Sequence, residues 1–275
     1  MINKILNNLK KPHKIPGKFL SKIKFFISKK KYDKKFYENK KNYIFKKLNL
    51  DRNLGFKKLI EIKKNHEILN NRGMASEHEV LFSSLSCNPK FNMDQILEVG
   101  TYDGANAFLL SLFFKNSNIE TIDLKKNHDD FKNFYNRRND INKFIELRNS
   151  YLSKNKNIYF KEINSINLIN YKKKYDLIWI DGAHGYPVVC MDIVNSIKIL
   201  NDKGIIMCDD VFINHIDSDK MYSSNAAYET INELKKEGLI NIDFIFKRLD
   251  ASSNCLEEKR KFVAIISLKF YKSSF

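Results

Sequence analysis

Two short apolar runs that each stop on carboxylates constrain this chain most. The first is Tyr175-Asp-Leu-Ile-Trp-Ile-Asp181, continued by Gly182-Ala-His184; the second is Gly204-Ile-Ile-Met-Cys-Asp209-Asp210. Runs of this length with β-branched residues suit strands covered on both faces, as in a parallel sheet. Ligands of open parallel sheets bind beyond the carboxyl ends of the strands. Asp181, His184, Asp209 and Asp210 are therefore expected at one rim. Carboxylates that close repel one another unless a cation or a shared proton intervenes. Hard divalent cations take oxygen ligands, so a metal site with a histidine beside it is the expectation.

The rest of the chain supports that sheet. Strand signals at Gln95–Val99, Ile119–Leu124, Asn157–Ile163, Tyr175–Asp181 and Gly204–Cys208 alternate with helical patterns, among them Ala105–Lys115, Pro187–Leu200 and Ser224–Glu237. Such alternation predicts an α/β, Rossmann-like, doubly wound sheet. Two late strands, Ile242–Leu249 and Phe262–Phe270, have no helix between them and should pair as an antiparallel hairpin. The total is seven strands, mostly parallel. Glu77–Ser86 reads as a helix with Ser76 as its N-cap.

The charge is unevenly placed. The chain carries +17, yet residues 1–50 hold 16 Lys, no Arg and two acids, which leaves +3 for residues 51–275. Residues 1–70 read as a basic, helical N-terminal extension and 71–275 as the main domain. Within the extension, Phe19, Leu20, Ile23, Phe26 and Ile27 fall on one helical face among lysines. That stripe either packs on its own domain or, through residues 18–31, meets an anionic membrane surface. Cys87, Cys190, Cys208 and Cys255 lack metal spacing and are expected to be reduced thiols, as in a cytoplasmic protein. No stretch is long and apolar enough to span a bilayer, so the expected location is the cytoplasm or the inner face of the membrane.

The first strand runs into Glu98-Val-Gly100-Thr-Tyr-Asp-Gly104. Two glycines let the backbone turn tightly and approach a ligand, and the helix that follows favours an anionic group at its N-terminus. The spacing is GxxxG rather than the GxGxxG of dinucleotide binding. Nineteen residues past Gly104, Asp123 closes the second strand, where a carboxylate can accept both hydroxyls of a ribose.

These residues resemble the cofactor site of class I S-adenosylmethionine-dependent methyltransferases. Ile180-Asp-Gly-Ala-His-Gly-Tyr186, with a double acid 28 residues past Asp181, is similar to the macrocin O-methyltransferase group. That group is metal-dependent and methylates sugar hydroxyls of natural products and glycans. The resemblance spans about Arg72 to Phe270. It implies S-adenosyl-L-methionine held by Glu98, Gly100, Gly104, Asp123, Asn164 and Ser165. It implies Mg²⁺ or a similar cation on Asp181, Asp209 and Asp210, and His184 as general base beside Asp181. The acceptor would be a sugar-containing small molecule or a lipid-linked glycan. The basic extension has no counterpart in the group, and the turn Asn201-Asp-Lys-Gly204 replaces a Pro-Gly-Gly type turn. His215 and the loop Asn214–Ser223 are further candidates for the acceptor pocket.

Two other functions compete: an RNA or DNA methyltransferase using the basic segment, and a noncatalytic scaffold that retains the fold. Charge confined to residues 1–50, and Asp-Gly-Ala-His in place of the Asn/Asp-Pro-Pro-aromatic run of amino-methylating enzymes, argue against nucleic acid. The intact acids argue against a scaffold. A homo-oligomer is compatible with the sequence.

Overall fold

The computed structural model describes residues 17–69, 76–133, 140–213, 224–249 and 256–269. Seven strands form one sheet: β1 Gln95–Val99, β2 Asn118–Asp123, β3 Ile158–Glu162, β4 Tyr175–Ile180, β5 Leu200–Phe212, β6 Ile240–Phe246 and β7 Lys261–Leu268, in the order β3-β2-β1-β4-β5-β7-β6. Strands β1 to β5 are parallel, and β7 runs antiparallel to both β5 and β6. This is the Rossmann-like methyltransferase topology, with the hairpin expected from the sequence. The central strands β1 and β4 are almost wholly buried, which is why they read as continuous apolar runs rather than as alternation.

Helices cover both faces: α1 Gly17–Lys31, α2 Lys34–Lys47, α3 Arg52–Asn65, α4 Glu77–Ser86, α5 Ala105–Phe113, α6 Asp129–Asn133, α7 Ile141–Leu152, α8 Val188–Lys198 and α9 Ala226–Lys236. One core layer lies under α2 to α5 and the other under α8 and α9. Ile44, Phe45 and Leu59 of α2 and α3 are buried in the same layer as Phe82, Ile96 and Trp179. Lys41 and Arg52 both pair with Glu77 of α4, and Tyr37 stacks at 4.5 Å on Phe246 of β6. From Lys34 onward the basic segment is thus built into the domain. In α1, Ile23 is half-buried while Phe26 and Ile27 are exposed; the side chains of Phe19 and Leu20 lie outside the described set. Among the described residues no helix is long and apolar enough to cross a membrane, and Cys87, Cys190 and Cys208 are free thiols. Cys255 lies outside the described residues.

Ser76 does precede α4, but its hydroxyl makes no capping bond. It pairs instead with Nδ1 of His78 at 2.8 Å, and the His78 ring lies against Trp179. His78 therefore supports the core.

Candidate active site

A cavity of about 520 Å³ opens at the carboxyl ends of β1, β2 and β4, within the usual size range of small-ligand sites. Its floor is the turn after β1. Gly100 has φ +100°, and a Cβ there would lie 2.4 Å from the Asp181 carbonyl oxygen. Only glycine fits, because the backbone runs against the end of β4 in a conformation that L side chains avoid. Gly104, at φ +79°, caps the N-terminus of α5.

The carboxylates around this turn are held in place. Glu98 is fully buried and accepts hydrogen bonds from Asn106 Nδ2 at 2.8 Å and Thr121 Oγ1 at 2.5 Å. Asp123 accepts from the backbone N–H of Tyr102 at 3.0 Å through Oδ2 and of Leu124 at 2.8 Å through Oδ1. Each carboxylate oxygen has two lone-pair sites, so Asp123 keeps acceptor capacity toward the cavity that it lines. Asn164 and Ser165 form the facing wall, where Asn164 accepts from the N–H of Ile166 and so caps a 3₁₀ turn over Ser165–Asn170. Five of the six residues expected around the cofactor line this cavity, and Gly104 supports the turn from outside it.

Asp192 was not foreseen. It projects from α8 to the same wall, is buried, and neither carboxylate oxygen has a hydrogen-bond partner. The neighbouring Ser165 hydroxyl acts against burial by lowering the pKa of Asp192. Burial pushes the Asp192 carboxyl up to about 6. A lone Asp on an otherwise amphipathic helix carries no sequence signal that separates it from a surface acid.

At the other end of the cavity stand Asp181 and His184. Asp181 Oδ1 and His184 Nε2 are 3.6 Å apart, beyond hydrogen-bond distance. The exposed third of Asp181 faces the cavity. Burial, reinforced by the neighbouring Asp209, raises its pKa well above the ordinary carboxylate value. Burial lowers that of His184, against the pull of Asp210 and Asp209. The imidazole is therefore neutral at pH 7 and able to accept a proton.

Behind this pair, Asp209 and Asp210 lie at an irregularity of β5. Cys208 pairs with Ala264 and Val211 with Phe262, so two residues stand opposite one on β7, which is a β-bulge. Asp210 accordingly adopts φ +50°. The three aspartates converge, as the sequence predicts, but lysines already engage Asp209 and Asp210, with only Asp209 Oδ1 buried and lacking a hydrogen-bond partner. Lys247, just past β6 and 5% exposed, pairs with Asp209 Oδ2 and Asp210 Oδ1. Lys261 of β7 pairs with Asp210 Oδ2 at 2.5 Å. Burial alone would raise the pKa of Asp210, but the ammonium groups of Lys247 and Lys261 outweigh it and hold the acid ionised. Likewise Asp209 and Asp210 overcome the burial of Lys247 and keep it charged.

The expected metal set of Asp181, Asp209 and Asp210 needs correction on this point. With two ammonium groups on three of the four oxygens of Asp209 and Asp210, these residues do not fit a divalent ion. Among the described residues no group of three or more His, Cys, Asp or Glu side chains is arranged to hold one. In the sequence Lys247 is legible only as a lysine within the expected strand Ile242–Leu249; the observed strand ends one residue before it, at Phe246. His215 and the loop Asn214–Ser223 lie outside the described residues.

Comparison with known proteins fits this geometry. Residues 97–211 match a family described as methyltransferase domain. A Klebsiella pneumoniae protein provisionally assigned as an O-methyltransferase superposes with TM-score 0.51 at 12% identity, covering 86% of this chain and 100% of its own. A Staphylococcus aureus protein provisionally assigned as a caffeoyl-CoA O-methyltransferase gives TM-score 0.51 at 16% identity, covering 77% and 92%. At these identities the two structures speak to the fold alone. No curated protein sequence matches the chain significantly. The chain is thus similar to methyltransferases in its fold and, over residues 97–211, in its sequence.

Proposed function

We propose that the protein transfers a methyl group from S-adenosylmethionine to a hydroxyl oxygen, with His184 as general base. The observation that carries this reading is the placement of His184 beside Asp181 in a cavity that Asp123 and the Gly100 turn also line. The cavity fits the cofactor. Asp123 offers a carboxylate to the ribose hydroxyls, the glycine turn admits a close backbone approach, and Asn164 and Ser165 flank the adenine side. When bound, S-adenosylmethionine supplies an already activated methyl group.

The chain's own residues then have three tasks. Glu98, pinned by Asn106 and Thr121, fixes the floor of the cofactor site. Asp181 marks where the acceptor oxygen sits, near His184. His184 takes the proton of that hydroxyl as the oxygen attacks, a role for which a neutral imidazole is suited at pH 7.

For the acceptor we favour a sugar hydroxyl, on a small glycosylated molecule or a lipid-linked glycan. Tyr186 is 71% exposed at the cavity mouth, two residues past His184, and offers a flat apolar face to a sugar ring. Incubation with radiolabelled S-adenosylmethionine and a panel of glycosides, catechols and short RNAs tests this. Label on glycosides is the expected result; label confined to catechols or to RNA would overturn the acceptor class.

A further inference from the structure

We infer that Lys247 is a built-in cation that takes the place of a divalent metal in this site, so that the acid cluster is closed to metals and the enzyme works without one. The inference rests on the acid cluster itself and deepens the proposed transfer only by removing a cofactor from it.

Three observations converge on Lys247. Its ammonium group is buried between Asp209 and Asp210, the two acids that the β5 bulge turns to the same side. Its backbone is fixed on both sides: its N–H donates to the Lys261 carbonyl at 3.0 Å, and its carbonyl accepts from Glu77 N–H at 2.9 Å. Lys261 covers the remaining oxygen of Asp210. Three carboxylates thus face two ammonium groups, and the cluster is nearly neutral without any ion from solution.

A divalent ion bound to these oxygens would have to displace a buried ammonium group or sit within a few ångströms of it. Charges at such distances in a poorly solvated site repel by several kcal/mol. Expelling Lys247 would also separate a buried ammonium group on a fixed backbone from the two acids that it pairs with, and an unpaired buried charge is strongly destabilising. The lysine therefore outcompetes a metal by position: it is attached to the fold and needs no binding step.

Mn²⁺ is a suitable probe, because its free-ion paramagnetic signal disappears on binding. The full-length parent should leave that signal unchanged, and methyl transfer should be the same in chelator and in Mg²⁺. Lys247→Ala should gain a Mn²⁺ site, and Asp209→Asn added to it should abolish that site. Lys247→Met, which preserves the packing volume, serves if the alanine variant does not fold. Uptake of Mn²⁺ by the parent with loss on Asp209→Asn would overturn the inference, as would a folded Lys247 variant that gains no site. The Mn²⁺ measurements need neither cofactor nor acceptor. A failure of the methyl-transfer proposal would show instead as absent S-adenosylhomocysteine binding.

Discussion

The two halves of the carboxyl rim solve the same electrostatic problem in opposite ways. Beside the cavity, Glu98 and Asp123 accept from neutral donors: Glu98 from Asn106 and Thr121, Asp123 from backbone N–H groups. At the bulge of β5, Asp209 and Asp210 are paired with lysines of the chain. The first half keeps acceptor capacity and an open cavity beside it. The second half is filled, and only its front edge, Asp181 and His184, reaches that cavity. Neutral partners leave the charge of a carboxylate uncompensated, whereas charged partners compensate it. One rim can thus hold a recognition site and a structural charge cluster side by side.

The largest expected effect lies at the junction of the halves. His184→Ala should reduce turnover by about 10²–10⁴-fold, the usual worth of general-base catalysis, with S-adenosylhomocysteine affinity unchanged. Turnover within a few-fold of the parent would detach the chemistry from the filled half and pass the base to another group.

Asp192 sharpens the comparison from the open half. Its folded pKa, about 6, is raised above an ordinary value near 4. The folded state therefore binds this proton more tightly than the unfolded chain. Its stabilising protonation is complete below about pH 4 and is lost as pH rises through about 6. The shift corresponds to about 3 kcal/mol. Asp192→Asn should accordingly unfold at higher urea than the parent at pH 8, with the gap closing at pH 4. A pH-independent difference would mean that Asp192 is not a buried, unpaired acid.

At the far end of the scale, α1 touches the domain through Lys24 and Glu258, 2.6 Å apart with Lys24 57% exposed. Such a pair is worth at most about 1 kcal/mol. Lys24→Ala should leave the melting temperature nearly unchanged. A large drop would show α1 to be as integral as α2 and α3.

Much of this was legible in the sequence, for identifiable reasons. β1 and β4 announce themselves because strands buried on both faces are apolar throughout. Asp123 is found by its distance from the glycine turn. The convergence of Asp181, Asp209 and Asp210 follows from parallel strands ending at one rim. What the acids meet there was not legible. Lys247 reaches them only through the antiparallel register of β6 and β7, a contact across 38 residues to Asp209, and the direction of Asp209 and Asp210 depends on a bulge that composition does not mark. Ile44, Phe45 and Leu59 were read as part of a separate basic extension because lysines surround them. Their burial depends on helix α4 and the ion pairs of Glu77, which a local pattern cannot show.

The account stands or falls on the open half. Calorimetric titration of S-adenosylhomocysteine into the parent and into Asp123→Ala tests it most directly. Hydrogen bonds to a charged acceptor contribute about 1.5–3 kcal/mol each, so loss of the carboxylate should weaken binding by at least about tenfold. Binding by the parent with that loss in the variant is the predicted result. No binding by the parent, or equal affinity in both proteins, would contradict it.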